Sequence, residues 1–146
     1  MNISDENLLL LSGLHSLYLR KFNPAYQKVD SQDNLLHKNQ IRVLMLIGNR
    51  GKITSTEIGK CLYLQKSSIT TLIDSLIEKK LVTKTADLHD RRKSWITLTD
   101  FGEKHRQEKY NSLNEELRNI LDKLSDTELI ELFNALRKST EILQKL

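Results

Sequence analysis

The chain of 146 residues contains one cysteine, one proline and 29% charged residues, and its formal net charge at pH 7 is +4. A single cysteine excludes an internal disulfide framework, and no apolar run approaches the roughly 18 residues that a membrane-spanning helix needs. Residues 1–53 and 54–93 each carry a net charge of +3, whereas residues 94–146 carry −2, so a polyanion would be expected to bind the first two segments.

The first predicted helix is rich in leucine. Apolar residues recur at helical spacing from Ser4 to about Phe22, and Ser4 is the expected N-cap. Further leucines wrap the apolar stripe around much of the helix, although a surface helix needs only one apolar face. The surplus indicates a second partner, such as another subunit. Pro24 is expected to end or kink this helix, and residues 27–36 are expected to form a loop or short turn.

Three shorter helices are predicted next. The first spans about 37–49, and Thr54 and Glu57 form a capping box that begins the second. A turn at Tyr63 leads into the third helix, over about 65–79. Its apolar residues share one face: Ile69, Leu72, Ile73, Leu76 and Ile77. A short helix, a tight turn and a one-sided second helix predict a helix-turn-helix.

A β-hairpin and two long helices complete the chain. Residues 81–85 and 94–98 are β-rich and flank a charged tip at 86–93. Thr99 is expected to cap a long helix, and a capping box at Ser125 opens the last one. The predicted fold is mainly α with a small β-hairpin wing: a winged helix-turn-helix domain with additional N- and C-terminal helices.

The exposed side of the helix at 65–79 carries short hydroxyl side chains. This face contains Ser67, Ser68, Thr71, Asp74 and Ser75, with Thr70 at its edge and Lys66 near its start. Short hydroxyls allow a helix to approach base edges and phosphates closely, where they can donate or accept hydrogen bonds. The wing adds cationic or titratable groups: Lys84, His89, Arg91, Arg92 and Lys93.

Asp90 is the acidic member of this wing, and we expect it to pair with Arg92 and fix the direction of the guanidinium. Arginine suits a narrow minor groove, where the potential is most negative. A polar helix face or a basic hairpin tip, each taken alone, is often only a solvated surface. Their order within one stretch favours DNA binding.

Residues 54–102 resemble the MarR family of winged-helix transcriptional regulators. The matching stretches are Glu57–Leu62 for the first helix, Ser67–Thr70 and Leu72–Leu76 for the recognition helix, Leu81-Val82 with Lys84 for the entry to the wing, and Asp90–Arg92, Ile96–Thr99 and Gly102 for the wing and its ending. The sequence departs from the family pattern at four positions. Tyr63 and Lys80 stand where glycine is common, Gln65 where serine often caps, and Thr71 where arginine is common.

The resemblance implies a homodimer that binds pseudo-palindromic operators. Its recognition helices would lie in major grooves, with Ser67, Ser68, Thr70 and Thr71 facing the bases, while Arg92 would enter the minor groove. A single unit over 1–146 would place the winged lobe at about 37–100 and the dimerisation helices at about 4–26 and 101–146. The implied dimer interface contains Leu8, Leu11, Leu129, Leu132, Phe133 and Leu136. An implied effector pocket has the candidate lining residues His15, Tyr18, Phe22, Tyr26 and Tyr110, which could equally pack the core or the interface.

No other chemical site is predicted. Cys61 is interpreted as an ordinary, partly buried residue, and the four histidines lack the spacing of a zinc site. No nucleophile motif or phosphate-binding glycine loop is present, so we expect neither enzyme activity nor a cofactor.

The sequence therefore predicts a cytoplasmic, dimeric, DNA-binding transcriptional regulator, most simply a repressor. Its partners would be double-stranded DNA, a second copy of the chain and a small-molecule effector, with no membrane association. Two alternatives remain open: a winged-helix module that contacts protein instead of DNA, and a structural dimerisation protein without a ligand.

Overall fold

The computed structural model describes residues 3–90 and 93–146. These contain α1 (Asp5–Ser31), α2 (Lys38–Arg50), β1 (Lys52–Thr54), α3 (Ser55–Leu62), α4 (Lys66–Glu78), β2 (Val82–Ala86), β3 (Ser94–Leu98), α5 (Asp100–Leu121) and α6 (Asp126–Leu143). The mainly helical class and the small wing are confirmed. The chain divides into two compact units, of which Tyr26–Ser112 forms one; Leu113–Leu146 and the segment that ends at Ala25 form the other.

The first helix continues through Pro24, contrary to prediction. Helix α1 extends to Ser31, so residues 27–31 are helical and not part of a loop. Proline removes one backbone donor, but its fixed φ is compatible with a helix. Ala25 and Val29, one turn apart beyond the proline, are both buried, and this packing offsets the lost hydrogen bond.

The hydrophobic core lies within the unit Tyr26–Ser112 and joins α2, α3, α4 and the sheet. Its members are Leu36, Ile41, Val43, Leu44, Ile47, Ile53, Ile58, Ile69, Ile73, Leu76, Leu81, Val82 and Ile96. They include the central apolar positions of the three predicted short helices. The core therefore fixes the helix-turn-helix against the base of the wing.

The sheet has three antiparallel strands in the order β1-β3-β2, where the sequence predicted only a hairpin. Strand β1 pairs Ile53 with Ile96 of β3, and both side chains are buried. Three residues are too few for an alternating pattern to be recognised. The wing is consequently joined on its inner edge to the segment that enters α3.

Helix α4 is flanked by two residues with left-handed backbone, Tyr63 (φ 54°) and Lys80 (φ 59°). Both stand at positions where the family resemblance has glycine, which adopts this conformation without a Cβ penalty. Leu64 N–H donates to the Gly59 carbonyl at the first turn, and Leu81 N–H donates to the Leu76 carbonyl at the second. The chain therefore keeps the backbone turns without the glycines.

The start of α5 is held against the segment between α4 and β2. The Thr99 hydroxyl donates to the Lys80 carbonyl at 2.6 Å and accepts from Gly102 N–H at 2.9 Å, so the predicted cap is confirmed. A Cβ on Gly102 would lie 1.9 Å from the Leu81 carbonyl oxygen. Only glycine permits this approach.

Helix N-termini elsewhere follow the predicted capping chemistry. The hydroxyls of Ser4, Thr54 and Ser125 each accept a backbone N–H from three residues further on. Across 3–90 and 93–146, none of the helices has both the length and the apolar character required to cross a bilayer.

Candidate nucleic-acid interface

Helix α4 presents one buried and one exposed face. Ile69, Ile73 and Leu76 are buried in the core. The side chains predicted to contact DNA are all exposed on this helix: Lys66, Ser67, Ser68, Thr70 and Thr71. The fold thus leaves the N-terminal half of α4 free to enter a groove, whereas the opposite side anchors it.

The threonine hydroxyls of this face are oriented by the helix itself. Thr70 Oγ1 donates to the Lys66 carbonyl at 3.1 Å, and Thr71 Oγ1 donates to the Ser67 carbonyl at 3.2 Å. With the proton directed inward, each threonine offers oxygen lone pairs and a methyl group outward. Such groups suit the amino groups of adenine or cytosine and the methyl of thymine.

Ser75 does not belong to the exposed face, contrary to prediction. It is half-buried, and its Oγ accepts a hydrogen bond of 2.7 Å from Nε2 of Gln40 on α2. The helical wheel places Ser75 in line with Ser67 and Thr71, but α2 packs against that end of the stripe. The readable face therefore ends before Ser75.

The wing carries Lys84 on β2 and Lys93 just before β3, both exposed. Arg91, Arg92 and the expected Asp90–Arg92 ion pair lie outside the described residues. His89 is exposed near the tip. The two lysines are therefore the wing cations whose position the structure defines.

Asp87 organises the wing loop, a role that sequence reasoning missed. Its Oδ1 accepts from the backbone N–H groups of His89 (2.8 Å) and Asp90 (2.9 Å). Its Oδ2 accepts from the Trp95 indole N–H at 2.6 Å. The indole bond, followed by the two backbone bonds, lowers the pKa of the Asp87 carboxyl. Asp87, which the sequence analysis did not single out, therefore shapes the loop that carries the basic residues.

Trp95 connects this loop to the inner strand of the sheet. In the sheet, Trp95 pairs with Thr54 of β1 and with Thr85 of β2. Lys52 Nζ lies 4.7 Å from the centre of the Trp95 ring. The cation–π contact over the ring and the hydrogen bond from the ring N–H to Asp87 together hold the indole. The wing loop is thus braced against the sheet.

A groove of about 810 Å³ runs between α3, the first turn of α4 and the wing strands. We call it the lysine groove, because four lysines line it: Lys60 of α3, Lys66 of α4, Lys84 of β2 and Lys93 just before β3. Hydroxyl groups of Ser55, Thr56 and Thr70 also line it. Cations and hydroxyls are the side chains that commonly contact phosphate.

One carboxylate, that of Glu57, also lines the lysine groove, but the cap of α3 engages it. Glu57 Oε2 accepts from Thr54 N–H at 2.8 Å and from Thr54 Oγ1 at 2.7 Å. These bonds, the backbone one first, lower the pKa of Glu57. The acid is directed toward the capping box, so the groove remains predominantly cationic.

A second polar cluster, which we call the Asp33 clasp, links the segment after α1 to α5. Asp33 Oδ2 lies 2.9 Å from His105 Nε2 and 3.1 Å from Lys109 Nζ, while Oδ1 accepts from the N–H groups of Leu35 and Leu36 at 2.8 Å each. Burial alone would raise the pKa of Asp33, but these hydrogen bonds lower it to about 2. A small cavity of about 340 Å³ borders the clasp.

The implied effector residues lie in both units. His15, Tyr18 and Phe22 belong to the unit that contains the start of α1, where the rings of Tyr18 and Phe22 pack 5.0 Å apart. Tyr26 and Tyr110 belong to the unit Tyr26–Ser112. None of the five lines the lysine groove or the cavity beside the clasp, so the pocket stays a prediction.

The implied interface residues leave apolar surface uncovered in the single chain. Leu8, Leu11, Phe133 and Leu136 are 46–60% exposed, and Leu129 and Leu132 are half-buried. No residue of α6 is fully buried. Helices α1 and α6 thus offer apolar side chains that one chain does not cover.

Cys61 is exposed at the end of α3, which corrects the expectation of partial burial. Ile58 is the residue of α3 that is buried in the core, whereas Cys61 lies in the last turn of this short helix and remains exposed. Within residues 3–90 and 93–146 no group of three or more potential metal ligands converges.

Comparison with known proteins identifies a family. Residues 36–93 match the sequence model of the MarR family. The chain is 33% identical over 109 residues to YpoP, an uncharacterized HTH-type transcriptional regulator of Bacillus subtilis, and the match covers 73% of this chain and 77% of YpoP.

Solved structures share the fold. A MarR family protein from Bacillus stearothermophilus superposes with a TM-score of 0.83 at 22% identity, over 98% of this chain and 99% of that one. A mutant MarR from E. coli, complexed with operator DNA, superposes with a TM-score of 0.63 at 21% identity, over 95% and 99% of the two chains.

Proposed function

The chain belongs to the MarR family, and from that premise we propose that it is a sequence-specific, DNA-binding transcriptional regulator that acts as a homodimer on pseudo-palindromic operators. The observation that carries the proposal is the lysine groove, which lies between the exposed face of α4 and the wing. A duplex backbone separates its major groove from its minor groove. A cationic groove between a major-groove helix and a minor-groove wing is therefore suited to that backbone strand.

In the proposed complex, the lysines neutralise phosphates and fix the position of the protein, whereas α4 selects the sequence. Release of counterions from phosphates gives an affinity that falls steeply with salt. Ser67, Ser68 and Thr71 then contact base edges in the major groove. As the family resemblance implies, Arg92 enters the adjacent minor groove, where arginine is favoured.

The homodimer is supported by the uncovered apolar residues of α1 and α6. Exposed apolar patches of this kind mark interaction surfaces. Full burial of a large apolar side chain contributes roughly 1.5–3 kcal/mol, so covering side chains that are about half exposed contributes roughly half of that each. Two-fold symmetry would place the recognition helices about one helical turn of DNA apart. The family resemblance extends the proposal to repression that a small-molecule effector relieves, with the pocket residues named above as candidates.

Selection of bound duplexes from a random library tests the proposal directly. We expect a palindromic consensus whose half-sites lie about 10 bp apart. Arg92→Ala should lower affinity for that consensus without changing the oligomeric state. Failure of the wild-type protein to retain any duplex at low salt would refute the proposal.

The alternative of a protein-binding winged helix is favoured by two exposed side chains, Leu88 at the wing tip and Tyr63 in the turn before α4, which are 94% and 95% exposed. A salt titration separates the two functions. DNA binding should weaken strongly between 50 and 200 mM salt, whereas an apolar protein contact should change little.

A further inference from the structure

Gln40 on α2 carries a polar side chain into the interior, and only 4% of its surface is exposed. Its Oε1 accepts from His37 N–H at 2.9 Å, at the start of α2, and its Nε2 donates to Ser75 Oγ at 2.7 Å. A buried amide is costly unless both ends are hydrogen-bonded. The amide therefore favours one placement of α4 against α2.

Ser75 lies on the same line along α4 as Ser67 and Thr71, which are proposed to contact the bases. Ser75 follows Thr71 by four positions and Ser67 by eight, so the three residues lie one above another along the helix. Ser67 lies about 12 Å from Ser75 along the axis. A bond at Ser75 thus fixes the rotation of the stripe while its other end remains exposed.

A second contact holds the C-terminal end of α4. Lys79 Nζ, directly after α4, donates to the Leu35 carbonyl. The segment from Leu35 to Gln40, which makes both contacts, is itself held in place. The Asp33 carboxylate accepts hydrogen bonds from Leu35 and Leu36 N–H and is bonded in turn to His105. Polar bonds from the C-terminal half of α4 and from Lys79 to residues 35–40 therefore fix the orientation of this helix.

We propose that Gln40 and Ser75 form a positioning pair that sets the rotation of α4 about its axis, and through it the choice of bases. This rests on the proposed function. Side-chain tips lie about 5 Å from the axis of a helix, so a rotation of roughly 10° moves them by about 1 Å. That displacement is enough to break a direct hydrogen bond to a base, but not the contacts of flexible lysines with phosphate.

The test compares selectivity with general affinity. The affinities of the wild type, Ser75→Ala, Gln40→Leu and the double variant are measured for the selected consensus duplex and for a scrambled duplex of equal length. Ser112→Ala is the matched control, because among the described residues the hydroxyl of this serine bonds only the carbonyl of Glu108 within its own helix α5. Ser75→Thr retains the hydroxyl and serves as the rescue variant.

We expect each single variant to lower consensus affinity roughly ten- to hundredfold, the factor associated with one misread base pair. Scrambled-duplex affinity and its salt dependence should stay unchanged. The double variant should lose no more than either single variant, and Ser75→Thr should bind as the wild type does.

Equal losses of affinity for both duplexes would mean that the pair only stabilises the fold, and would overturn the proposal. Unchanged selectivity in Ser75→Ala and Gln40→Leu would also overturn it. Either result leaves DNA binding itself intact. A wild-type protein that binds no duplex instead refutes the proposed function.

Discussion

Asp33→Asn should destabilise the protein at neutral pH, and this destabilisation should disappear at low pH. The folded pKa of Asp33 is about 2 against an ordinary 3.8, which corresponds to about 2 kcal/mol of unfolding free energy at neutral pH. Its side chain is 1% exposed, so solvent screening reduces this value little. Asparagine retains an oxygen that can accept from Leu35 and Leu36 N–H but loses the charge that faces His105 and Lys109.

The sign of the pH dependence follows from the lowered pKa. A carboxyl whose pKa falls on folding stabilises the protein above about pH 4, and this contribution is lost as the pH falls toward 2. The wild type should therefore exceed Asp33→Asn by about 2 kcal/mol at pH 7 and pH 5. At pH 3 the difference should be about half as large.

Urea unfolding followed by circular dichroism at pH 7, 5, 4 and 3 measures this difference. Protein concentration must be held constant, since association would shift the apparent stability. Asp122→Asn, at an exposed aspartate after α5, is the matched control and should change stability little at any pH. A gap between wild type and Asp33→Asn that stays constant from pH 7 to pH 3 would show that the charge of the clasp does not stabilise the fold.

Three further substitutions test the site and the assembly. Lys84→Gln should weaken duplex binding and, because a dimer loses two phosphate contacts, reduce the slope of log affinity against log salt by about 1.8; Lys123→Gln, beyond α5, should leave the slope unchanged. Trp95→Phe removes the indole donor and should raise the pKa of Asp87 toward 3.8, and an NMR titration without upward movement contradicts the brace. Phe133→Asp should yield monomers in sedimentation and abolish tight operator binding; a monomeric wild type would disprove the interface.

Local signals predicted the helices and most of the core. The capping boxes at Thr54 and Ser125 mark helix starts because they depend on residues only three positions apart. The apolar period of α4 identifies its buried side for the same reason. Pro24 misled the prediction, since the burial of Ala25 and Val29 that maintains the helix depends on packing that the local sequence does not contain.

The candidate site was predicted by residue type, but not by residue contact. The exposed hydroxyls of α4 follow from a helical wheel, whereas the burial of Ser75 depends on Gln40, 35 positions away. The role of Asp87 depends on the indole of Trp95, eight positions away, which the fold places beside it. Such side-chain pairs arise from the fold and leave no pattern in the linear sequence.

Thr54 has a mechanical consequence beyond helix capping. It is the last residue of β1, paired with Trp95, and its hydroxyl also caps α3. The sheet and α3, the first helix of the helix-turn-helix, thus meet in one residue, without a hinge between them. In the proposed complex with DNA, the duplex would then have to adapt its shape to a rigid helix-turn-helix and wing, and sequences that bend easily would gain affinity even where no side chain touches their bases.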